Sequence, residues 1–296
     1  MNLYNLGPVS WIESQSLYHA LALLGREGLI ICYPDSAYVC LGLHDDLDHE
    51  IDQSYCRKKG IPLLRRETGG GVVYLDSQQV FYQLVLRRDN PLVPLRRTEF
   101  YQKFLQPAIS VYQSLNMPVE LKAPADLAAR GLKCSGNACG DIDECVVYVG
   151  NLLLDFDFHT MSKVLRLPNE IFREYLFQTM RENITTLADW CEKPLDYSYL
   201  VSGLISGFYQ ELGSLTPCTV DGELRSTTRQ VGERLISPEW LQMPGRRPVK
   251  RRVKISEGIY LSQETCSSQE NCLVFERNGV ELNIVLKQDS DQVVAI

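Results

Sequence analysis

The chain has 296 residues, a formal net charge of −7, 45% hydrophobic and 23% charged residues. That is enough for one large domain plus a small one with an ordinary globular composition, and its acidity argues against a nucleic-acid partner. No apolar run approaches the roughly 18 residues that cross a bilayer, and residues 1–7 lack a basic n-region and an apolar h-region, so a cytoplasmic protein with no membrane span is expected.

An amphipathic helix is expected over about 13–25, with Ile12 just ahead of it and Leu17, Leu21 and Leu24 within it at helical spacing. Two short apolar runs, 29–33 and 37–41, are separated by Pro34-Asp35-Ser36 and read as a β-hairpin or strand pair. Residues 44–52 form an acidic loop or helix start. Residues 51–59 are expected to be helical and to stop at Gly60, with strands at 61–65 and 80–86. A helix over 99–115 follows, kinked at Pro107. Strands are expected at 132–135, 145–149 and 152–156, the last two joined by a Gly150-Asn151 turn. Helices at 169–181 and 197–212, a helical turn from Ser237 and an alternating strand over 278–286 complete the chain. The pattern implies an α+β fold: a large domain at 1–190, with a mostly antiparallel sheet flanked by helices, and a small α+β C-terminal domain at 191–296.

Ten cysteines stand at 32, 40, 56, 134, 139, 145, 191, 218, 266 and 272, with no Cys-x-x-Cys pair and only four histidines. Reduced packing residues are expected rather than a zinc centre or a disulfide framework, although Cys266 and Cys272 are spaced to bridge a short loop under oxidation. No metal ligand is assigned. The basic stretch 246–254 and the acidic stretch 44–52 are each expected to be solvated faces.

Two segments carry chemistry. Arg65-Arg66-Glu67-Thr68-Gly69-Gly70-Gly71-Val72-Val73-Tyr74-Leu75-Asp76 places bare backbone beside two permanent cations, which suits a carboxylate or phosphate. Gly131-Leu132-Lys133-Cys134-Ser135-Gly136-Asn137-Ala138 adds one lysine among small residues. In this order the pair resembles the lipoate–protein ligase A family, within the biotin/lipoate ligase and octanoyltransferase superfamily. The resemblance is strong over 60–160 and looser elsewhere, including an Ile-Thr-x-Leu turn at 184–187 and a Gly-Val-Glu-Leu strand at 279–282.

The resemblance implies ATP-dependent activation of lipoate or octanoate as an acyl-adenylate, then transfer to a lysine of a lipoyl carrier domain. On that reading Lys133 is catalytic, bridging the substrate carboxylate and the α-phosphate. Arg66 and Gly69, Gly70 and Gly71 cradle the adenylate, and Val72, Val73, Ser135, Gly136 and Ala138 border it. Asp76 holds the loop or touches the nucleotide, Asp126 lies near the ribose, and Mg²⁺ screens the triphosphate. Val72, Val73, Tyr74, Val80, Phe81, Leu152 and Leu153 are candidates to line an acyl tunnel. Burying an eight-carbon chain is worth on the order of 5 kcal/mol.

The sequence departs from the family at Leu75, where the motif has histidine, at Gln78-Gln79, where it has Gly-Asn, at Ala125, where an Asn-Asp pair loses its first member, and at Gly140, where some members have arginine. These departures leave two alternatives open, a transferase moving octanoate between carriers and a non-catalytic homologue. A transferase needs a low-pKa cysteine near the lysine, and 120–129 contains none. The 246–254 strip is a candidate docking face for an acidic carrier.

Overall fold

The structure, a computed structural model, describes residues 1–122, 124–192, 194–265, 271–285 and 294–295. Six strands make the central sheet in the order β10 (Asn137–Ile142), β11 (Cys145–Leu153), β6 (Gln79–Arg87), β2 (Gly28–Pro34), β1 (Asn2–Val9) and β12 (Thr216–Pro217). The first four run antiparallel to one another, and β1 runs parallel to both β2 and β12.

The two-residue period of a strand divides the core. Leu29, Ile31, Tyr82 and Leu84 face one side of the sheet; Ile30, Cys32, Phe81 and Val85 face the other. Helices α4 (Arg97–Phe104), α5 (Gln106–Ser114) and α8 (Tyr197–Leu212) cover the first side through Phe100, Phe104, Tyr112, Leu204 and Phe208. Helices α1 (Glu13–Leu23) and α9 (Gly222–Leu235) cover the second through Leu17, Leu21, Leu224 and Val231. Side-chain oxygens set the helix starts: Asp196 caps α8 and Asp221 caps α9.

Two three-stranded sheets carry the motifs. One is β4 (Leu63–Arg65), β3 (Tyr38–Leu41) and β5 (Val73–Leu75); the other is β7 (Val119–Lys122), β8 (Asp126–Ala129) and β9 (Leu132–Ser135). Short helices α2 (Leu47–Glu50), α3 (Gln53–Lys59), α6 (Phe158–Val164) and α10 (Pro238–Leu241) fill the joints. A small C-terminal sheet is an antiparallel meander of β13 (Arg252–Ser256), β14 (Ile259–Thr265), β15 (Asn271–Arg277), β16 (Val280–Val285) and β17 (Val294–Ala295). Its Ile255, Ile259, Leu261 and Leu273 pack on Phe172, Leu176 and Met180 of α7 (Glu170–Asn183). The α+β class with a mostly antiparallel sheet between helices is what the sequence implied.

Several local readings change. β2 and β3 form no hairpin: β2 pairs with β1 and β6, whereas β3 pairs with β4 and β5, so the turn at 34–36 moves the chain between sheets. Residues 145–153 are one strand with no turn at Gly150. Glycine stands there because a Cβ would lie 2.4 Å from Tyr82 Cε2. The 99–115 segment is two helices, α4 and α5, broken at Leu105 just ahead of Pro107. Around residue 190 the packing continues, since α8 and α9 belong to the two cores of the central sheet. Cys272 is disulfide-bonded, Cys266 lies outside the described residues, and the other described cysteines are free thiols.

Candidate active site

A cavity of about 530 Å³ opens between the glycine loop, the β8–β9–β10 edge and strand β13. Arg66, Gly70, Gly71, Val72, Val73, Asp126, Lys133, Ser135, Gly136 and Ala138 all line it. Gly69 and Asp76 stand outside that lining. Gly69 turns its carbonyl to Arg66, and Asp76 accepts the Gln78 N–H at 2.9 Å, its carboxyl raised by burial. Of the expected tunnel residues, Tyr74, Phe81 and Leu153 also line the cavity. Val80 and Leu152 alternate to the opposite face and are buried under the α4–α5–α8 layer.

Arg66 does a different job from the one its charge suggested. Its Nη1 donates to the Cys40 carbonyl (3.2 Å), and its Nη2 donates to the Gly69 (2.8 Å) and Gly71 (2.9 Å) carbonyls. The guanidinium therefore shapes the glycine loop from behind, with its donors already engaged. Gly42 permits this packing, because a Cβ there would lie 2.0 Å from the Gly70 carbonyl oxygen. Gly70 itself takes φ +94°, open to glycine at little cost. Arg65 is fully buried and donates to the carbonyls of Leu43 (3.1 Å), Leu241 (2.6 Å) and Met243 (3.1 Å), tying α10 to the loop after β3.

His19 holds the same loop. Its Nε2 accepts the Glu67 N–H at 3.1 Å, so Nδ1 carries the proton it donates to the Gln15 carbonyl at 2.7 Å. Burial pushes this imidazole down to about 3, and it is neutral at physiological pH.

On the opposite wall Lys133 Nζ lies 3.0 Å from Asp126 Oδ1. The other Asp126 oxygen accepts the Glu257 N–H at 2.7 Å, so one carboxylate connects the lysine to the turn after β13. The lysine's strand is fixed by its carbonyl, which accepts the Thr185 N–H at 2.8 Å. A polar network supports the next residues. Asn151 Oδ1 accepts the Gly136 N–H (2.7 Å), its Nδ2 donates to Gln79 Oε1 (2.7 Å), and Ser135 Oγ donates to the Asn151 carbonyl (2.6 Å). Tyr82 and Tyr148 hydroxyls both reach Asn137 Oδ1, at 3.0 and 3.1 Å. Gln79 and Leu75, both departures in the sequence, line the cavity: Gln79 is a member of this polar network, whereas Leu75 also packs in the apolar core of the α1–α9 side.

The family model of the lipoyl protein ligase A/B catalytic domain matches residues 13–208. The chain belongs to this family. Among curated relatives, the octanoyltransferase LipM of Brevibacillus brevis is 24% identical over 231 residues, covering 70% of this chain and 83% of that protein. The lipoate-protein ligase A subunit 1 of Thermoplasma acidophilum is 25% identical over 198 residues, covering 64% and 73%. A solved structure of the bipartite lipoate protein ligase and its E2 lipoyl domain from Thermoplasma acidophilum matches with a TM-score of 0.73 at 22% identity, over 84% of this chain and 98% of that one. A lipoate-protein ligase A bound with ATP matches with a TM-score of 0.67 at 21% identity, over 81% and 98%. These likenesses establish a lipoyl ligase fold.

Within a family that holds both ligases and octanoyltransferases, the thiols matter. Among the described residues Cys40 is the cysteine lining the cavity, and it is fully buried with burial raising its thiol pKa. Cys134 is pushed up to about 12 and Cys139 to about 11, both by burial. Cys134 also packs in the core beneath β9, on the face away from Lys133, as alternation along a strand requires.

The cavity's carboxylates do not compose a resident Mg²⁺ site. Asp45 accepts the Gly42 N–H (2.8 Å), Glu50 pairs with Arg251 (2.6 Å) and Asp126 pairs with Lys133. Among the described residues no cluster of three His, Cys, Asp or Glu side chains stands ready for a metal.

Sequence reading missed the third wall, where Arg251, Arg252, Val253, Lys254, Ile255 and Glu257 line the cavity. The signal was present in the charges. The basic strip pairs with carboxylates, two of them in the acidic stretch, Arg247 with Asp46 (2.7 Å) and Arg251 with Glu50 (2.6 Å), and two nearer in sequence, Lys250 with Glu264 (2.7 Å) and Lys254 with Glu257 (2.6 Å). Much of the expected docking face is therefore neutralised within the molecule.

Proposed function

We propose that this protein is an ATP-dependent lipoate–protein ligase. The observation that supports this best is the cavity's chemical inventory: a lysine, a glycine-rich loop and an apolar end share it, while its cysteine is buried and un-ionised. In the proposed reaction a carboxylate oxygen of lipoate or octanoate attacks the α-phosphorus of ATP. The bond from that phosphorus to the β-phosphate bridge breaks, and pyrophosphate leaves. The amine of a carrier lysine then attacks the acyl carbon, forming the amide and releasing AMP.

Lys133 supplies the positive charge shared by carboxylate and α-phosphate, turning from Asp126 to do so. The loop of Gly69, Gly70 and Gly71, shaped by Arg66, offers backbone to the adenylate, bordered by Val72, Val73, Ser135, Gly136 and Ala138. Asp126 positions the lysine, and Asp76 holds the end of the loop. Mg²⁺ enters only as the counter-ion of the triphosphate. A lipoyl carrier domain and a cytoplasmic location belong to the same reading, with the accessory unit confined to the meander that starts at Arg252.

A second reading, an octanoyltransferase, is favoured by relatives named LipM that are covered over 83% of their length. Two assays separate them. The ligase modifies a lipoyl domain with lipoate only when ATP is present, and both Cys40→Ser, at the cavity's cysteine, and Cys139→Ser retain that activity. Octanoyl transfer from a carrier without ATP, abolished by a cysteine substitution, would make the protein a transferase.

A further inference from the structure

A second cavity of about 380 Å³ adjoins the first, and Arg251 lines both. Arg166, Arg247, His49 and Asp48 complete its polar lining. Arg251 is only 9% exposed, and its Nη1 donates to Glu50 Oε2 at 2.6 Å. Among the described residues its buried Nε and Nη2 have no hydrogen-bond partner, nor has His49 Nε2, which lies 4.0 Å from Glu50 Oε1. Buried N–H donors of a permanent cation are costly to leave unpaired, so this pattern points to an acceptor that the described residues do not provide.

The surrounding groups specify the acceptor's chemistry. Arg166 spends Nη1 on the Asp48 carbonyl (2.8 Å), and Arg247 spends Nε on Asp46 Oδ2 (2.7 Å). Each guanidinium has five N–H donors, so the Asp46 and Glu50 carboxylates and the Asp48 carbonyl hold the arginines in place without exhausting them. Three forks around one space suit a multiply charged anion with several oxygens; a single carboxylate would satisfy only one fork.

We propose that this second cavity binds a phosphate-class anion and, resting on the ligase reading, receives the pyrophosphate that leaves the nucleotide. Arg251, shared by the two cavities, then touches the leaving group from the C-terminal side while Lys133 serves the α-phosphate. A reaction that moves an acyl group between carriers has no use for such a site.

The test is calorimetric titration of inorganic pyrophosphate into the full chain and into Arg251→Gln and Arg166→Gln. Arg166 is exposed, so its variant keeps the fold, which circular dichroism verifies. Pyrophosphate should bind the wild type and bind each variant at least ten-fold more weakly. Absence of binding to the wild type, or equal binding by Arg166→Gln, overturns the site. The same preparations are assayed for adenylate formation from lipoate and ATP. Arginine-dependent binding without adenylate formation overturns the leaving-group role, whereas adenylate formation with binding indifferent to both arginines overturns the site and leaves the ligase reading standing.

Discussion

Two walls face each other across the cavity and are held by different physics. The glycine-loop wall is fixed from behind by buried hydrogen bonds, with Arg66 on three carbonyls, neutral His19 on the Glu67 N–H, and Gly42 packed against Gly70. The C-terminal wall is fixed by charge, through Arg247–Asp46, Arg251–Glu50 and the Lys133–Asp126 pair whose carboxylate also takes the Glu257 N–H. Buried hydrogen bonds and the nearly buried Arg251–Glu50 pair are little affected by salt, whereas the Arg247–Asp46 pair, with its guanidinium exposed, is screened. The first wall is therefore a rigid template, and the second responds to ionic conditions.

The comparison breaks most visibly at Gly42. Alanine there drives a methyl into backbone, so Gly42→Ala should cost about 3 kcal/mol by overpacking and, by displacing the loop, lower kcat/KM about 100-fold. Denaturant unfolding and steady-state assays measure the two losses. A variant with wild-type stability and activity would show that the loop is not templated from behind.

His19 gives the next effect. Its folded pKa of about 3 lies below the ordinary value near 6.5, so between these values the unfolded chain binds the proton that the native protein refuses. The contribution is complete above pH 6.5 and is lost as pH falls through that window. Wild type should lose about 2 kcal/mol between pH 6.5 and 5 from this group, and His19→Gln should flatten the profile. Parallel urea curves for both proteins at the two pH values would contradict it.

The glycine loop and the lysine were legible in the sequence because their chemistry demands particular residues. The work of Arg66 was not, because a guanidinium on the page does not reveal whether carbonyls or a ligand meet its donors. Gly150-Asn151 looked like a turn, yet its glycine answers to Tyr82 across the sheet, a contact between distant positions. The third wall has no motif at all. It follows from opposite charges about 200 residues apart, each of which alone resembles a solvated face.

Smaller effects sharpen the charge-held wall. Asp126→Asn removes one partner of the Lys133 pair and should cost about 1 kcal/mol, while making thermal unfolding less dependent on salt. An unchanged salt dependence would remove this pair from the account. Lys250→Glu touches a side chain already paired with Glu264, and should alter the KM for a lipoyl carrier by less than about two-fold. A larger rise in KM would return the strip to a docking role.

The most direct measurement follows pyrophosphate release with lipoate, octanoate and biotin in turn, for wild type beside Lys133→Ala, with a lipoyl domain present to trap product. Lipoate- or octanoate-dependent release that collapses in the variant is the predicted result. No release with any acid, alongside octanoyl transfer from a carrier without ATP, would contradict it.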